Sequence, residues 1–372
     1  MTGRLNIVAD ENMPNLHEHF SALGNITAMA GRQISARDLH DCDILLVRSV
    51  TRVDQALLAN SRVRFVGSAT IGTDHIDLDY LAAAGVAFAH APGCNADSVL
   101  QYDMAVLAEL RPQWRTASIG VLGGGNVGGR IASLLHQLGV DVAVCDPLIQ
   151  PHKATWPRVE LTALLQRDII LLHAPLTTSG NHPSHHLIGP EQLAALKPGA
   201  LLLNAGRGGV IDNRALLDVL RSGAELDVVL DVWEQEPLVE PALLDHIAIA
   251  TPHIAGYSLE GRRNGSAMVA AALRDYLALA AQPARLRDLP RVVLGDVTDL
   301  NTAIVASYDL LGDDRRLREA LAQCSDNEQR RGQFDQLRRH YPVRHQFSHF
   351  ALSSDDPQLR SDCALLGFDV SG

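Results

Sequence analysis

The sequence predicts an α/β protein with two doubly wound parallel-sheet domains followed by a small α+β domain. Three observations carry that prediction. Short apolar runs alternate with segments of helical period as far as Ala281. Each run ends in a polar or small residue, as parallel strands do where their C-terminal ends line a cleft. After QPARLRDLP the composition shifts: charge rises (DDRRLREAL, NEQRRGQFDQLRRHYPVRHQF) and glycine-rich strand ends cease.

In chain order, LNIVAD, DILLVRS, VRFVGSAT and VAFAHAP read as strands of a first domain, residues 1–97. From Asn95 to Leu110 the period is helical, with Val99, Tyr102, Val106 and Leu110 on one face before Pro112. A second strand set follows: ASIGVLG, DVAVCDP, DIILLHAP, ALLLNAG, LDVVLDVW and IAIATPH, with helices at Gly128–Leu138 and Asn213–Arg221 between them. Strand–helix alternation of this kind builds parallel sheets, and it defines a second domain over residues 98–258. An Ala-rich helix from Leu259 to Ala281 is expected to complete the first domain. A boundary near Pro283 leaves residues 283–372, with strand-like RVVLGDV and HQFSHFALSS. That stretch is too short for a generous core of its own, so self-association as a two-fold homodimer is its expected role.

Composition bounds the function. The chain has 372 residues, 47% hydrophobic and 20% charged, the balance of a soluble globular protein. No apolar run approaches the ~20 residues that cross a bilayer, and the start, MTGRLNIVADENMP, lacks the apolar core of a signal peptide. Five scattered cysteines without metal-ligand spacing point to a reducing cytoplasm. A net charge of −11 gives no footprint for nucleic acid, so an anionic substrate needs local basic groups.

Gly123, Gly125 and Gly128 stand in G-x-G-x-x-G spacing between a strand and a helix. The first two let backbone approach a pyrophosphate, and the third lets helix and strand pack. The helix start at Asn126, Val127 and Gly128 offers N–H groups to phosphate. The next strand ends in Asp146, where an acid accepts both ribose hydroxyls and repels a 2′-phosphate. This is the Rossmann arrangement, with NAD favoured over NADP.

Three later strand ends carry chemistry: Arg207 in LLLNAGRGGVID, Asp231 and Glu236 in VVLDVWEQEPL, and His253 in IAIATPHIAGY. Oxidising a 2-hydroxy acid needs a base for the hydroxyl proton, a carboxylate to orient that base and a cation for the substrate carboxylate. His253, Glu236 and Arg207 supply these types. A second anionic end would find donors at Arg48, Ser49 and Arg52 and in the small-residue turn Ser68 to Thr73, with Arg344 as a candidate reaching a partner's cleft. The loop SGNHPSHHLIG holds His182, His185 and His186. Without a nearby acid in sequence it reads as a solvated lid, and no metal is expected.

The motifs GTDHID, APGCNADSV, GGGNVG, HAPL, LKPGALLLNAGRGGVID, LDVWEQEP and TPHIAGY resemble the D-2-hydroxyacid dehydrogenase superfamily over roughly residues 5–280. DENMP, VRSVT, SATIGTDH, PGCNA, Tyr257 and, in the tail, GQFDQLRRHY are similar to its erythronate-4-phosphate dehydrogenase family. The resemblance implies His253 as proton donor and acceptor, with Glu236 and Arg207 beside it. It implies Asp146, Ala174, Asp231 and Gly256 as NAD contacts, and Ser49, Thr70 and Tyr257 as substrate contacts. Ala174 departs from the Thr or Ser frequent there, which removes a side-chain hydroxyl. The implied reaction is NAD-dependent oxidation of a small phosphorylated 2-hydroxy acid in vitamin B6 biosynthesis. The alternatives are a phosphoglycerate- or glyoxylate/hydroxypyruvate-type dehydrogenase and a non-catalytic NAD-sensing module of the corepressor kind.

Overall fold

The computed structural model describes residues 4–149, 155–281 and 289–371. The boundary placed near Pro283 lies outside the described residues. The chain divides into two compact units, Met1–Asn95 with Ser258–Leu289 and Ala96–Tyr257 with Pro290–Gly372.

In the first unit, β1 (Leu5–Asp10), β2 (Gly24–Met29), β3 (Ile44–Val47), β4 (Phe65–Ser68) and β5 (Ala87–Ala89) form a parallel sheet in the order β2-β1-β3-β4-β5. Ile7, Ala9, Ile44, Leu46 and Phe65 face one side; Val8, Leu45, Val47 and Val66 face the other. The helix Leu259–Tyr276 lays Val269, Ala270 and Leu273 on the first side, which returns the chain to this unit. Ser258 starts it, its Oγ accepting from Gly261 N–H at 2.9 Å. The helix stops at Tyr276 instead of running to Ala281. Ala278 turns left-handed (φ 54°) and Leu279 N–H reaches back to Arg274 O at 2.9 Å, a closure that apolar composition does not announce. β2 was also unforeseen. It is an edge strand that pairs only with β1 and carries polar Asn25 and Thr27, so it lacks the continuous apolar run of its neighbours.

In the second unit, β6 (Ile119–Leu122), β7 (Val142–Cys145), β8 (Ile169–Leu172), β9 (Ala200–Asn204), β10 (Leu226–Leu230) and β11 (Ile249–Ala250) lie parallel in the order β11-β10-β9-β8-β6-β7. Every residue of β6 to β9 is buried. Ile169 and Leu171 enter one core, Ile170 and Leu172 the other, so the sheet is covered on both faces. The strand order reverses at β6, between β7 and β8, and a doubly wound sheet opens a ligand crevice at such a point.

The tail holds a three-stranded parallel sheet, β12 (Val292–Val293), β13 (Phe350–Ser353) and β14 (Asp369–Ser371), with helices Leu300–Ser307, Leu310–Ala322, Asn327–Arg339 and Pro357–Leu366. It does not stand apart from the nucleotide-type sheet. Leu300, Ala303, Ile304 and Phe347 share a core with Tyr102 and Val106, while Leu317, Leu321 and Phe334 join the opposite core. Polar contacts fix the register: Trp114 Nε1 donates to Asn301 Oδ1 at 2.8 Å and Gln346 Nε2 to Ser98 Oγ at 2.9 Å. Ala250 N–H, on edge strand β11, donates to Asp314 Oδ1 at 2.8 Å, so the tail also covers a sheet edge. Among the described residues no helix is long and apolar enough to cross a membrane.

Because the tail shares its core, Ile304→Ala should cost roughly 2–4 kcal/mol. Urea unfolding followed by tryptophan fluorescence, with Trp114 buried beside it, measures this. A loss below about 1 kcal/mol would mean the tail packs loosely on that helix.

Candidate active site

The strand ends of the second unit build the site. Gly123 has φ 88°, and a Cβ there would lie 2.7 Å from Ala174 N; a Cβ on Gly128 would lie 1.9 Å from Gly123 O. These two glycines are required by the chain's own packing. Gly125 is not: a Cβ there would meet nothing within 4 Å, so its bareness keeps space open beside the loop. The helix Gly128–Gln137 that follows has no side-chain cap at Val127. Asp146 Oδ2 accepts from Gly124 N–H at 2.8 Å and Oδ1 from Leu148 N–H at 2.9 Å, which sets the acid against the glycine loop. An open glycine, an uncapped helix start and an acid at the next strand end together fit a dinucleotide. Beneath the loop, His173 Nε2 pairs with Asp103 at 2.7 Å, both fully buried, a contact that the motif HAPL did not disclose. Burial pushes the Asp103 carboxyl up and His173 opposes it.

The chemistry gathers at β9, β10 and β11. After β9 the chain turns at Arg207, whose Nη1 donates to Gly206 O at 2.8 Å, while Asn204 Nδ2 donates to Arg207 O at 3.0 Å. A Cβ on Gly208 would lie 2.0 Å from the Trp233 carbonyl carbon, so only glycine lets this turn sit on the loop after β10. In that loop Trp233 N–H donates to Glu236 Oε1 at 2.9 Å. Glu236 Oε2 lies 2.7 Å from His253 Nδ1, and the two side chains keep 23% and 30% exposure. Burial alone would push the Glu236 carboxyl up. The His253 charge and hydrogen bond, Arg338 and the Trp233 N–H outweigh it and hold the carboxyl below its ordinary value. An ionised Glu236 accepts the Nδ1 hydrogen and leaves Nε2 as the ring's acceptor nitrogen.

His253 occupies this place through an unusual turn. Its φ is 57°, left-handed for a non-glycine residue, a conformation costing about 1–2 kcal/mol. Asp231 holds it. His253 N–H donates to Asp231 O at 2.7 Å, Ile254 N–H and Thr251 Oγ1 donate to Oδ1 at 2.7 and 2.6 Å, and Ala255 N–H donates to Oδ2 at 3.0 Å. Tyr102 OH lies 2.8 Å from Thr251 Oγ1, and Trp233 Nε1 donates to Thr251 O at 3.0 Å. Burial raises the Asp231 carboxyl, opposed by His253 and these donors. Asp231, expected as a cofactor contact, is thus first the anchor of the loop that carries His253. Gly256 and Tyr257 close the loop, with Tyr257 N–H donating to Ile254 O at 2.8 Å.

The remaining expectations divide. In the first unit, Ser49 follows β3, exposed, and Thr70 follows β4 beside it in the sheet. Thr70 Oγ1 lies 2.7 Å from Ser68 Oγ, which in turn lies 2.9 Å from His75 Nε2. Arg52 is a surface charge, 80% exposed and paired with Asp54 at 2.8 Å. Arg344 does not reach outward for a partner. It is 6% exposed, and its guanidinium donates to Ala255 O and to Ser98 O and lies 4.4 Å from the Tyr308 ring centre. It braces the histidine loop of its own chain. The histidine loop at 182–186 does have an acid nearby: His186 Nε2 meets Glu234 Oε1 at 2.6 Å, and Glu234 Oε2 accepts from Asn213 N–H at 3.1 Å. The acid lies far off in sequence, on the strand-end loop after β10, and it holds the segment at His186, while His182 and His185 stay exposed.

Glu236→Gln should move the acidic limb of the rate profile for oxidation to lower pH, because a neutral amide no longer favours the charged form of the ring it pairs with. Initial rates across pH measure it, and an unmoved limb would break the pairing.

Residues 101–255 match the D-isomer-specific 2-hydroxyacid dehydrogenase NAD-binding domain, and residues 288–367 match a domain of unknown function. Erythronate-4-phosphate dehydrogenase of Teredinibacter turnerae is 45% identical over 98% of this chain and 99% of its own. The Azotobacter vinelandii enzyme of that name is 46% identical, over 98% and 99%. Among solved structures, D-lactate dehydrogenase of Aquifex aeolicus, complexed with NAD and lactic acid, superposes with a TM-score of 0.62 at 22% identity, covering 73% of this chain and 95% of that one. NAD-bound 3-phosphoglycerate dehydrogenase of Entamoeba histolytica gives 0.64 at 21%, covering 74% and 96%. The structural likeness fixes the fold, and the near-full-length identity fixes the kinship: the chain belongs to the erythronate-4-phosphate dehydrogenase family of D-isomer-specific 2-hydroxyacid dehydrogenases.

Proposed function

We propose that this protein oxidises 4-phospho-D-erythronate to 3-hydroxy-2-oxo-4-phosphooxybutanoate with NAD, on the route to pyridoxal 5′-phosphate. The observation that carries the reading is the His253–Glu236 pair at 2.7 Å, at strand ends adjoining that of Arg207. Bound NAD supplies the hydride acceptor. His253 Nε2 takes the C2 hydroxyl proton as the C2 hydride leaves, and Glu236 steadies the resulting imidazolium. Arg207 holds the substrate carboxylate with its planar fork.

Gly123, Gly125, Asn126, Val127 and Gly128 cradle the pyrophosphate, Asp146 accepts the adenosine ribose hydroxyls, and Ala174 offers only backbone. Asp231 and Gly256 serve the nicotinamide end. Ser49, Thr70 and Tyr257 bind substrate. In this reading residues 1–97 with the helix Leu259–Tyr276 serve substrate, 98–258 serve NAD, and 283–372 serve homodimerisation. The last assignment draws support from Val292 and Val293 on an edge strand, 46% and 76% exposed, and from Val343 at 64%. Five free cysteines support a cytoplasmic setting.

The test is NADH absorbance on mixing protein and NAD with 4-phospho-D-erythronate, 3-phosphoglycerate or glycerate. Turnover should be selective for the first, and selectivity for 3-phosphoglycerate or glycerate would move the protein to another branch of the superfamily. His253→Ala should lower the rate by ~10²–10⁴ with NAD binding preserved. Asp146→Ala should weaken NAD and narrow its advantage over NADP.

A further inference from the structure

The tail motif GQFDQLRRHY, Gly332–Tyr341, has no part in the mechanism above, yet the fold delivers one of its side chains to the active site. Phe334 is fully buried in the sheet core and fixes the helix Asn327–Arg339. In that helix's last turn, the Arg338 guanidinium lies 5.9 Å from the Phe334 ring centre and 5.5 Å from that of Tyr257. Tyr341, just beyond the helix, meets the Tyr257 ring edge-on at 6.0 Å. Arg338 also hydrogen-bonds Tyr257 and lies within the field of Glu236. Its Nε is buried and makes no hydrogen bond. Burying a guanidinium is costly unless anions and rings compensate it, and here Tyr257 and Glu236 do so beside Phe334 and Asp335 of its own helix.

We propose that Arg338 is a positioning residue of this active site: it holds the Tyr257 ring in place and sets a buried cation against Glu236, the partner of His253. This rests on the reading of His253 as the base. The charged and titratable groups facing the cluster are Glu236, His253 and Asp231 from the strand-end loops, Tyr257 from the loop after β11, and Asp335, Tyr341, Arg344 and Asp313 from the tail. Burial would depress the Arg338 guanidinium, but Tyr257, Glu236 and Asp335 hold it charged. A fixed cation beside the carboxylate that pairs with His253 offsets part of that carboxylate's pull on the charged ring. Removing it should therefore favour the protonated ring, opposite in sign to the effect of Glu236→Gln.

The test uses full-length protein carrying isotope-labelled histidine, titrated by NMR without substrate, with His253 assigned by its loss in His253→Gln. Arg338→Met keeps the apolar stem against Phe334 and Tyr257, Arg338→Gln removes the charge a second way, and Arg338→Lys retains it. The Met and Gln variants should raise the His253 midpoint by roughly 0.5–1 pH unit, with Lys close to wild type. An unmoved midpoint in Met and Gln, a downward shift, or an equal shift in Lys overturns the proposal. Turnover is not needed for this readout. A wild type inactive on 4-phospho-D-erythronate would instead overturn the proposed function, and the two failures remain separable.

Discussion

The carboxylate of Asp231 governs the site. It sits fully buried at the end of β10 and accepts from Thr251 Oγ1, Ile254 N–H and Ala255 N–H, three donors on the loop after β11. Those bonds bend the chain so that His253 alone bears the left-handed turn, and the turn presents its ring to Glu236. Each bond to a charged acceptor contributes about 1.5–3 kcal/mol, enough together to sustain the ~1–2 kcal/mol strain of the turn. An ionisable ring at the end of a buried strand is therefore a consequence of backbone donors converging on one acid.

Around that anchor the tail does structural work. Arg344 donates to Ala255 O, Asp314 covers the β11 edge, and Arg338 adjoins Tyr257. The loop that carries His253 is thus clasped from inside the sheet by Asp231 and from outside by a segment distant in sequence. That arrangement accounts for residues 290–372 sharing a compact unit with the nucleotide-type sheet instead of standing apart.

Much of this was legible in the sequence. Parallel strands buried on both faces leave continuous apolar runs, so β6 to β11 could be read directly, and glycines at 123 and 128 mark places where backbone touches backbone. The placing of Arg207, Glu236 and His253 at adjoining strand ends was legible because strand ends of a parallel sheet share an edge. What escaped has a common cause. Edge strand β2 has no two-sided burial to impose a pattern, the His186–Glu234 contact joins residues 48 apart, and the Asp103–His173 contact joins residues 70 apart. Arg344 was placed at a partner's cleft because charge in a short tail reads as surface; only packing reveals that Ser98 O and Ala255 O receive it.

The most direct measurement is the crystal structure of Asp231→Asn. An amide nitrogen must replace one carboxylate oxygen and then faces a backbone donor, so the clasp cannot close. The account predicts that His253 leaves the left-handed region and that its Nδ1 moves out of hydrogen-bond range of Glu236. A variant that keeps His253 near φ 57° and 2.7 Å from Glu236 would contradict it.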